Sequence, residues 1–299
     1  MSNKIVSYIA LSLISSIAVG IPSAYAMEIN VTPPRFELDL KARKARSNSI
    51  KITNTSNQPV EMRAYVRNWK MDKNNRLEEA PSNERSLDQW IIFTPSRFRI
   101  EPGSTQSVRF EIRPKLEPSE GEYRAVIYLE EIVAKRSVKE DIQTIGRVGV
   151  VVYGYAGNVK RVGTVNSVNV DTISSLTKAT FDISNQGKAH VRIGGQYAIW
   201  RAANYPGAKA TRPIRGANNP DRKLPPNVVQ VGKIDLPPVL PSDRRQLVLP
   251  IAEKLPPGNY ILDLNGDLSG TAIDQGIPFT VPNTNVSTST PKTINSDPK

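Results

Sequence analysis

Apolar and polar side chains alternate along most of the chain. Phe36, Leu38 and Leu40 are separated by Glu37 and Asp39, and Ile50 and Ile52 by Lys51. Val60, Met62, Ala64 and Val66 alternate with charged or polar neighbours as far as Trp69, and Val108, Phe110 and Ile112 alternate with Arg109 and Glu111. Tyr123, Ala125, Ile127 and Leu129 follow the same rule after Gly121. Successive side chains of a strand point to opposite faces, so period two with one apolar face predicts half-buried antiparallel strands. The run 148–155 is continuously apolar and β-branched, which predicts a strand buried on both faces. A second series passes through Ala179, Phe181 and Ile183, then 191–200, 247–251, Tyr260, Leu262 and Leu264, and finally Ile277, Phe279 and Val281. Asn265-Gly266 predicts a two-residue hairpin turn. The pattern predicts an all-β chain of two β-sandwich domains, 27–155 and 156–281. Residues 201–228, rich in Arg, Asn, Pro and Gly, read as a long loop, and 282–299 as a disordered tail.

The first 26 residues stand apart from this alternation. Lys4 precedes an apolar stretch, 5–19, and Ala24-Tyr25-Ala26 offers a small-residue cleavage site. This predicts a secretory signal peptide over 1–26, too short to span a bilayer, so that no membrane insertion is expected and the mature chain begins at Met27.

Composition narrows the chemistry. Among 299 residues there is no Cys and one His, which excludes disulfides, thiolate nucleophiles, Cys-ligated metals and multi-His metal sites. His190, at a strand start, is read as structural or exposed, not catalytic. Asp263, Asn265 and Asp267 are spaced like a calcium loop, but Leu268 stands where that loop requires Gly, and no metal is expected. Phosphate-binding, dinucleotide and nucleophile-elbow motifs are absent, and no cofactor is expected. Glu78-Glu79 and Glu130-Glu131 are sequence neighbours, which on a strand point to opposite faces and form no acid–base pair. The chain is therefore expected not to be an enzyme. A formal net charge of +12 without a basic helix or interleaved aromatics argues against nucleic acid and for an acidic protein or a polyanionic envelope surface. The basic run 41–46 reads as a solvated loop or as a patch for such a partner.

The first block resembles a known family through pieces standing in that family's order. These are Val31-Thr32-Pro33-Pro34-Arg35-Phe36; Ile52-Thr53-Asn54 with Gln58-Pro59-Val60; Tyr65 to Trp69; Phe93-Thr94-Pro95-Ser96-Arg97-Phe98-Arg99-Ile100-Glu101-Pro102-Gly103 with Val108-Arg109-Phe110; and Tyr123 to Ile132. Together they resemble the N-terminal immunoglobulin-like domain of the periplasmic chaperones of the chaperone–usher pilus pathway. The resemblance covers about 28–155; the second block is similar only in general character. It implies two immunoglobulin-like β-sandwich domains, a periplasmic location, and partners that are strand-deficient pilin subunits and an outer-membrane usher. It also implies that one chaperone strand completes the subunit's sandwich while a pair of cations holds the subunit's terminal carboxylate. Arg35 stands at the family's Arg. At the family's Lys an ungapped match puts Val150 and a gapped match Arg147; the gapped match is preferred, because 142–144 then align too. In that register the donor strand presents Val138, Glu140 and Ile142, and in the other Asp141, Gln143 and Ile145. The rival reading is a non-enzymatic structural or adhesive envelope protein built on the same fold.

Overall fold

The computed structural model describes residues 28–41, 47–114, 117–132, 145–172, 176–217, 219, 221, 223–251 and 255–283. The predicted signal peptide, the tail beyond residue 283 and the donor residues Val138 and Ile142 lie outside them. The alternating segments form strands. In the first half these are β1 (Ile29–Thr32), β2 (Arg35–Asp39), β3 (Ser47–Asn54), β4 (Val60–Met71), β5 (Leu77–Ala80), β6 (Ile91–Thr94), β7 (Arg97–Ile100), β8 (Thr105–Ile112), β9 (Gly121–Glu131) and β10 (Arg147–Ala156). In the second half they are β11 (Gly163–Asp171), β12 (Thr177–Asn185), β13 (Ile193–Arg201), β14 (Val228–Asp235), β15 (Arg244–Ile251), β16 (Gly258–Leu268) and β17 (Thr271–Val281).

The chain is all-β, with two immunoglobulin-like β-sandwiches. The first packs the sheet β1-β3-β8-β6 on the sheet β2-β10-β9-β4-β5, with β7 also pairing β4. The second packs β11-β12-β15 on β14-β13-β16-β17. The first-domain core is the inward set of the alternation: Ile50, Ile52, Met62, Phe110, Ile112, Ile127, Leu129, Val150 and Val152. Phe36 meets Phe110 edge to face at 4.9 Å. Each such buried side chain contributes roughly 1.5–3 kcal/mol of apolar transfer. The second core gathers Phe181, Ile183, Ile199, Leu247, Leu262 and Leu264 by the same rule.

The segment 31–36, which the resemblance implies is a first strand carrying Arg35, is divided between two strands. β1 pairs antiparallel with β3 in one sheet; after Pro33-Pro34 the chain crosses, and β2 pairs parallel with β10 in the other. Two prolines carry no N–H for a ladder, which suits a crossing point.

Asn265-Gly266 is not a hairpin turn. Both residues lie inside β16, and the turn that joins β16 to β17 is Ser269-Gly270, with positive φ at both positions (49° and 98°). Gly266 is needed mid-strand for close approach: a Cβ there would stand 2.1 Å from the Gly194 carbonyl oxygen. The expected loop 201–228 does connect β13 to β14. It contains two single-turn 3-10 helices, Ala202–Asn204 and Ala208–Ala210, and it packs on the sheet instead of standing off it.

Candidate binding site: a cationic, aromatic sheet face at the domain junction

Alternation that sends Phe36, Leu38, Val150 and Val152 inward sends their neighbours to the outer face of the same sheet. On β10 these are Arg147, Gly149, Val151, Tyr153 and Tyr155; on β2, Arg35 and Glu37; on β9, Glu122, Arg124, Val126, Tyr128 and Glu130; on β4, Arg63, Tyr65, Arg67 and Trp69. Trp69, Val126, Tyr128, Tyr153 and Leu240 form an apolar cluster there, and Leu240 comes from the second domain. The face is thus a small second core, roofed in part by the other sandwich.

Both expected cations lie on this face. Arg35 opens β2 directly opposite Val151 and pairs with Glu37 at 3.3 Å. Arg147 opens β10, donates to Glu79 at 2.7 Å and to the Tyr65 oxygen at 3.2 Å, and covers the Tyr128 ring at 4.4 Å. Their side chains remain 43% and 45% exposed, so each can take a further anionic partner. Arg147 is four residues from Val151, about 13 Å along the strand, so the two guanidiniums share a face without touching. Val150, offered by the ungapped match, is fully buried in the core and cannot reach this face.

The surrounding polar groups fix the cations. Tyr65 donates to Glu130 at 2.7 Å, and Arg63 holds the same carboxylate from its other side. The Tyr65 hydrogen bond, then Arg63, holds the Glu130 carboxyl below its ordinary range despite some desolvation. The hydrogen bond to Tyr65 leads the effects that raise Arg147 above the usual guanidinium value, so it carries a fixed charge.

The junction with the second domain lies at the other end of the face. Glu37 accepts from Tyr155 at 2.9 Å and from Arg161, in the connection between the sandwiches, at 3.0 Å. Burial and the Glu37 charge push the Tyr155 phenol far up, so it stays a donor. Glu122 is fully buried; it accepts from the His190 backbone N–H and meets His190 Nδ1, each at 2.7 Å, and takes Arg124 at 3.0 Å. Burial alone would raise its carboxyl, but the bonds from His190 and the Arg124 charge bring it below the ordinary value. The His190 ring lies 4.0 Å from that of Tyr153, whose phenol burial pushes up to about 12. Beside these, Glu37, Arg161, His190, Arg192, Asp267, Ser269 and Gly270 line an open crevice of about 300 Å³. A further clasp lies outside it: Arg245 of β15 donates to the Asp72 carbonyl at 2.7 Å and the Met71 carbonyl at 3.1 Å, while Asn75 donates to the Gln246 carbonyl at 2.7 Å.

Sequence reasoning placed Arg35 and Arg147 but missed Tyr65, Tyr128, Tyr155, Glu37, Glu79, Arg161 and Arg192. One signal was available: in strands whose inward set is aliphatic, the outward set is repeatedly Tyr, Trp or Arg. Of the two readings left for His190, structural or exposed, the burial fits the first: it packs against a partner 68 residues away. Among the described residues, no group of His, Cys, Asp or Glu could hold a metal ion.

The β10 ladder is also incomplete. β9 pairs with all of it, 147–156, but β2 pairs only with 151–155. On the β2 side, the backbone of Arg147, Val148, Gly149 and Val150 has no strand beside it among the described residues, and that open edge ends at Arg35.

Two immunoglobulin-like sandwiches thus meet over a cationic face, with an open strand edge among the described residues running to their junction. Residues 28–148, most of the first sandwich, match the family model of pili and flagellar-assembly chaperones, PapD N-terminal domain. Among solved structures, the class 5 fimbriae chaperone CfaA is 12% identical, with 85% of this chain and 98% of that chain covered and a TM-score of 0.39. A chain of the Salmonella enterica SafA pilin–SafB chaperone complex is 11% identical over 86% of this chain and 98% of that chain, with a TM-score of 0.40. The E. coli chaperone DraB is 14% identical over 85% and 97%, with a TM-score of 0.38. No curated protein matches the chain in sequence.

Proposed function

We propose that this protein is a periplasmic pilus-assembly chaperone that caps strand-deficient pilin subunits and delivers them to an outer-membrane usher. The observation that carries the reading is the open edge of β10. A strand from a partner can add beside 147–150 only as far as Val151, where β2 takes over the hydrogen bonds. The end of an added strand therefore arrives at Arg35. A chain terminus is a carboxylate, and a guanidinium grips one with two parallel hydrogen bonds. Arg147, four residues back on the same face, supplies the second cation along the added strand.

The physical need is shared. A sandwich lacking one strand exposes an apolar groove and unpaired backbone, both aggregation hazards. Strand addition satisfies the backbone, while alternate side chains fill the groove. Val138 and Ile142, in the segment that joins β9 to β10, are the side chains assigned to that filling.

The test is co-expression with a neighbouring exported subunit, followed by affinity purification. The wild-type protein should yield a one-to-one complex. Truncating one partner of a desolvated charge pair costs about 2–5 kcal/mol, so Arg35→Ala should weaken the complex by at least about 30-fold while the melting temperature stays put. A subunit with an amidated C-terminus should bind wild type and Arg35→Ala alike. An undiminished complex with Arg35→Ala would remove the anchor role.

A further inference from the structure

The long β13–β14 connection is pinned to the sheet beneath it. Thr211, buried within it, donates to Asp263 at 3.1 Å, and Tyr205 donates to the same carboxylate at 2.7 Å. Asn265 donates to the other Asp263 oxygen at 2.9 Å and to Thr211 at 3.2 Å. Three residues on, Ile214 exchanges two hydrogen bonds with the side chain of Gln196 on β13. Inward anchors at 211 and 214 leave the residues around them facing out, and these are cations. Lys209, Arg212 and Arg215 are all exposed. Arg212 is held in place by donating to the carbonyls of Lys209 and Thr211. Among the described residues, none of the three has a carboxylate within ion-pair distance, although elsewhere on the molecule Arg63, Arg99, Arg113, Arg147 and Arg244 each have one.

We infer that the segment 209–216 is a docking surface for an acidic protein segment, independent of the β10 edge. Three like charges within seven residues repel one another, and here the anchors at 211 and 214 hold the backbone that carries them. An arriving carboxylate run would relieve that repulsion and meets a surface already ordered, so little chain entropy is lost on binding. The composition selects protein over lipid. Between 209 and 216 the exposed side chains are Lys, Arg, Ala and Pro, and the single large apolar residue, Ile214, is half-buried, so nothing is available to enter a bilayer.

The experiment uses the full mature chain and fluorescent poly-L-glutamate, read by anisotropy at low and physiological salt, with phosphatidylglycerol vesicles as a parallel probe. The triple variant Lys209→Ala, Arg212→Ala, Arg215→Ala is compared with Lys51→Ala, Arg97→Ala, Arg109→Ala. The latter removes equal charge from exposed positions on β3, β7 and β8 of the first sandwich. With each exposed pair near the middle of its usual worth, the first triple should lose about tenfold in affinity and most of its salt dependence, and the second less than about twofold. Equal losses would reduce the effect to net charge and overturn the proposal. So would a wild-type protein that ignores poly-L-glutamate, or one whose segment 209–216 drives vesicle binding alone. Subunit capture by either triple should equal wild type, so this result stands or falls apart from the chaperone reading.

Discussion

The two sandwiches treat their outer sheet faces in opposite ways. In the first, the face of β2, β10, β9 and β4 carries Tyr, Trp and Arg, closed at one end by the second domain and left open at Arg35 and Arg147. In the second, part of the face of β13, β16 and β17 is covered by the chain's own 202–214 segment, latched at Asp263 and Gln196. Similar architecture therefore yields one face left partly open and one face that the chain itself partly covers. Charge marks the difference. The open face holds its buried carboxylate, Glu122, among cationic or protonatable groups, whereas the covered face holds Asp263 with neutral donors and with Asp274 as a neighbouring like charge.

That contrast can be broken most forcefully at Glu122. Replacing it by Ala leaves Arg124 and the His190 donors buried without their acceptor and should cost about 3–5 kcal/mol in denaturant titration. The pH dependence has a definite sign. The folded carboxyl lies below the ordinary value of 4.5, so its stabilisation is present above that value and is lost as pH falls through the folded value. The variant should lack this acid limb. A loss under about 1 kcal/mol would mean that the junction does not depend on the buried pair.

At Asp263 the sign reverses. Burial raises the folded carboxyl above its ordinary 3.8, so this group favours folding more as pH drops through the raised value towards 3.8. Asp263→Asn removes the buried charge but keeps an acceptor for Tyr205. Its stability at pH 7 should be unchanged or higher by about 1 kcal/mol, measured by thermal and urea unfolding. A loss above 2 kcal/mol would show that the latch needs the charge itself.

The smallest effect is expected at Arg35. An exposed ion pair such as Arg35–Glu37 contributes about 0–1 kcal/mol, so Arg35→Ala should move the urea midpoint scarcely at all. A large shift would make Arg35 a structural residue and blur the distinction between the open face and the covered one.

Much of the fold was legible, because period two is a local signal: the inward sets of β2, β3, β4, β8 and β9 can be read directly along the chain. Strands with weak alternation, such as β11 and β14, were not. Asn265-Gly266 misled because the dipeptide's turn chemistry is local, whereas the need for glycine opposite Gly195 arises only after β13 and β16 pair. The site was legible in part. Arg35 and Arg147 came from resemblance to a family, but their surroundings did not, since Tyr65, Glu79 and Tyr128 reach Arg147 across 82, 68 and 19 positions of sequence. The role of Asp263 was hidden for the same reason: its partners Tyr205 and Thr211 lie 58 and 52 residues away.

The Arg245 clasp has a consequence for dissection. The turn after β4 belongs to one sandwich by chain order, yet its carbonyls are satisfied by the other. A chain cut after residue 156 would bring the Trp69–Tyr153 pair and the Glu122 carboxylate into water together. Such a fragment should precipitate or self-associate instead of behaving as half a protein, and the two lobes are best regarded as a single cooperative folding unit.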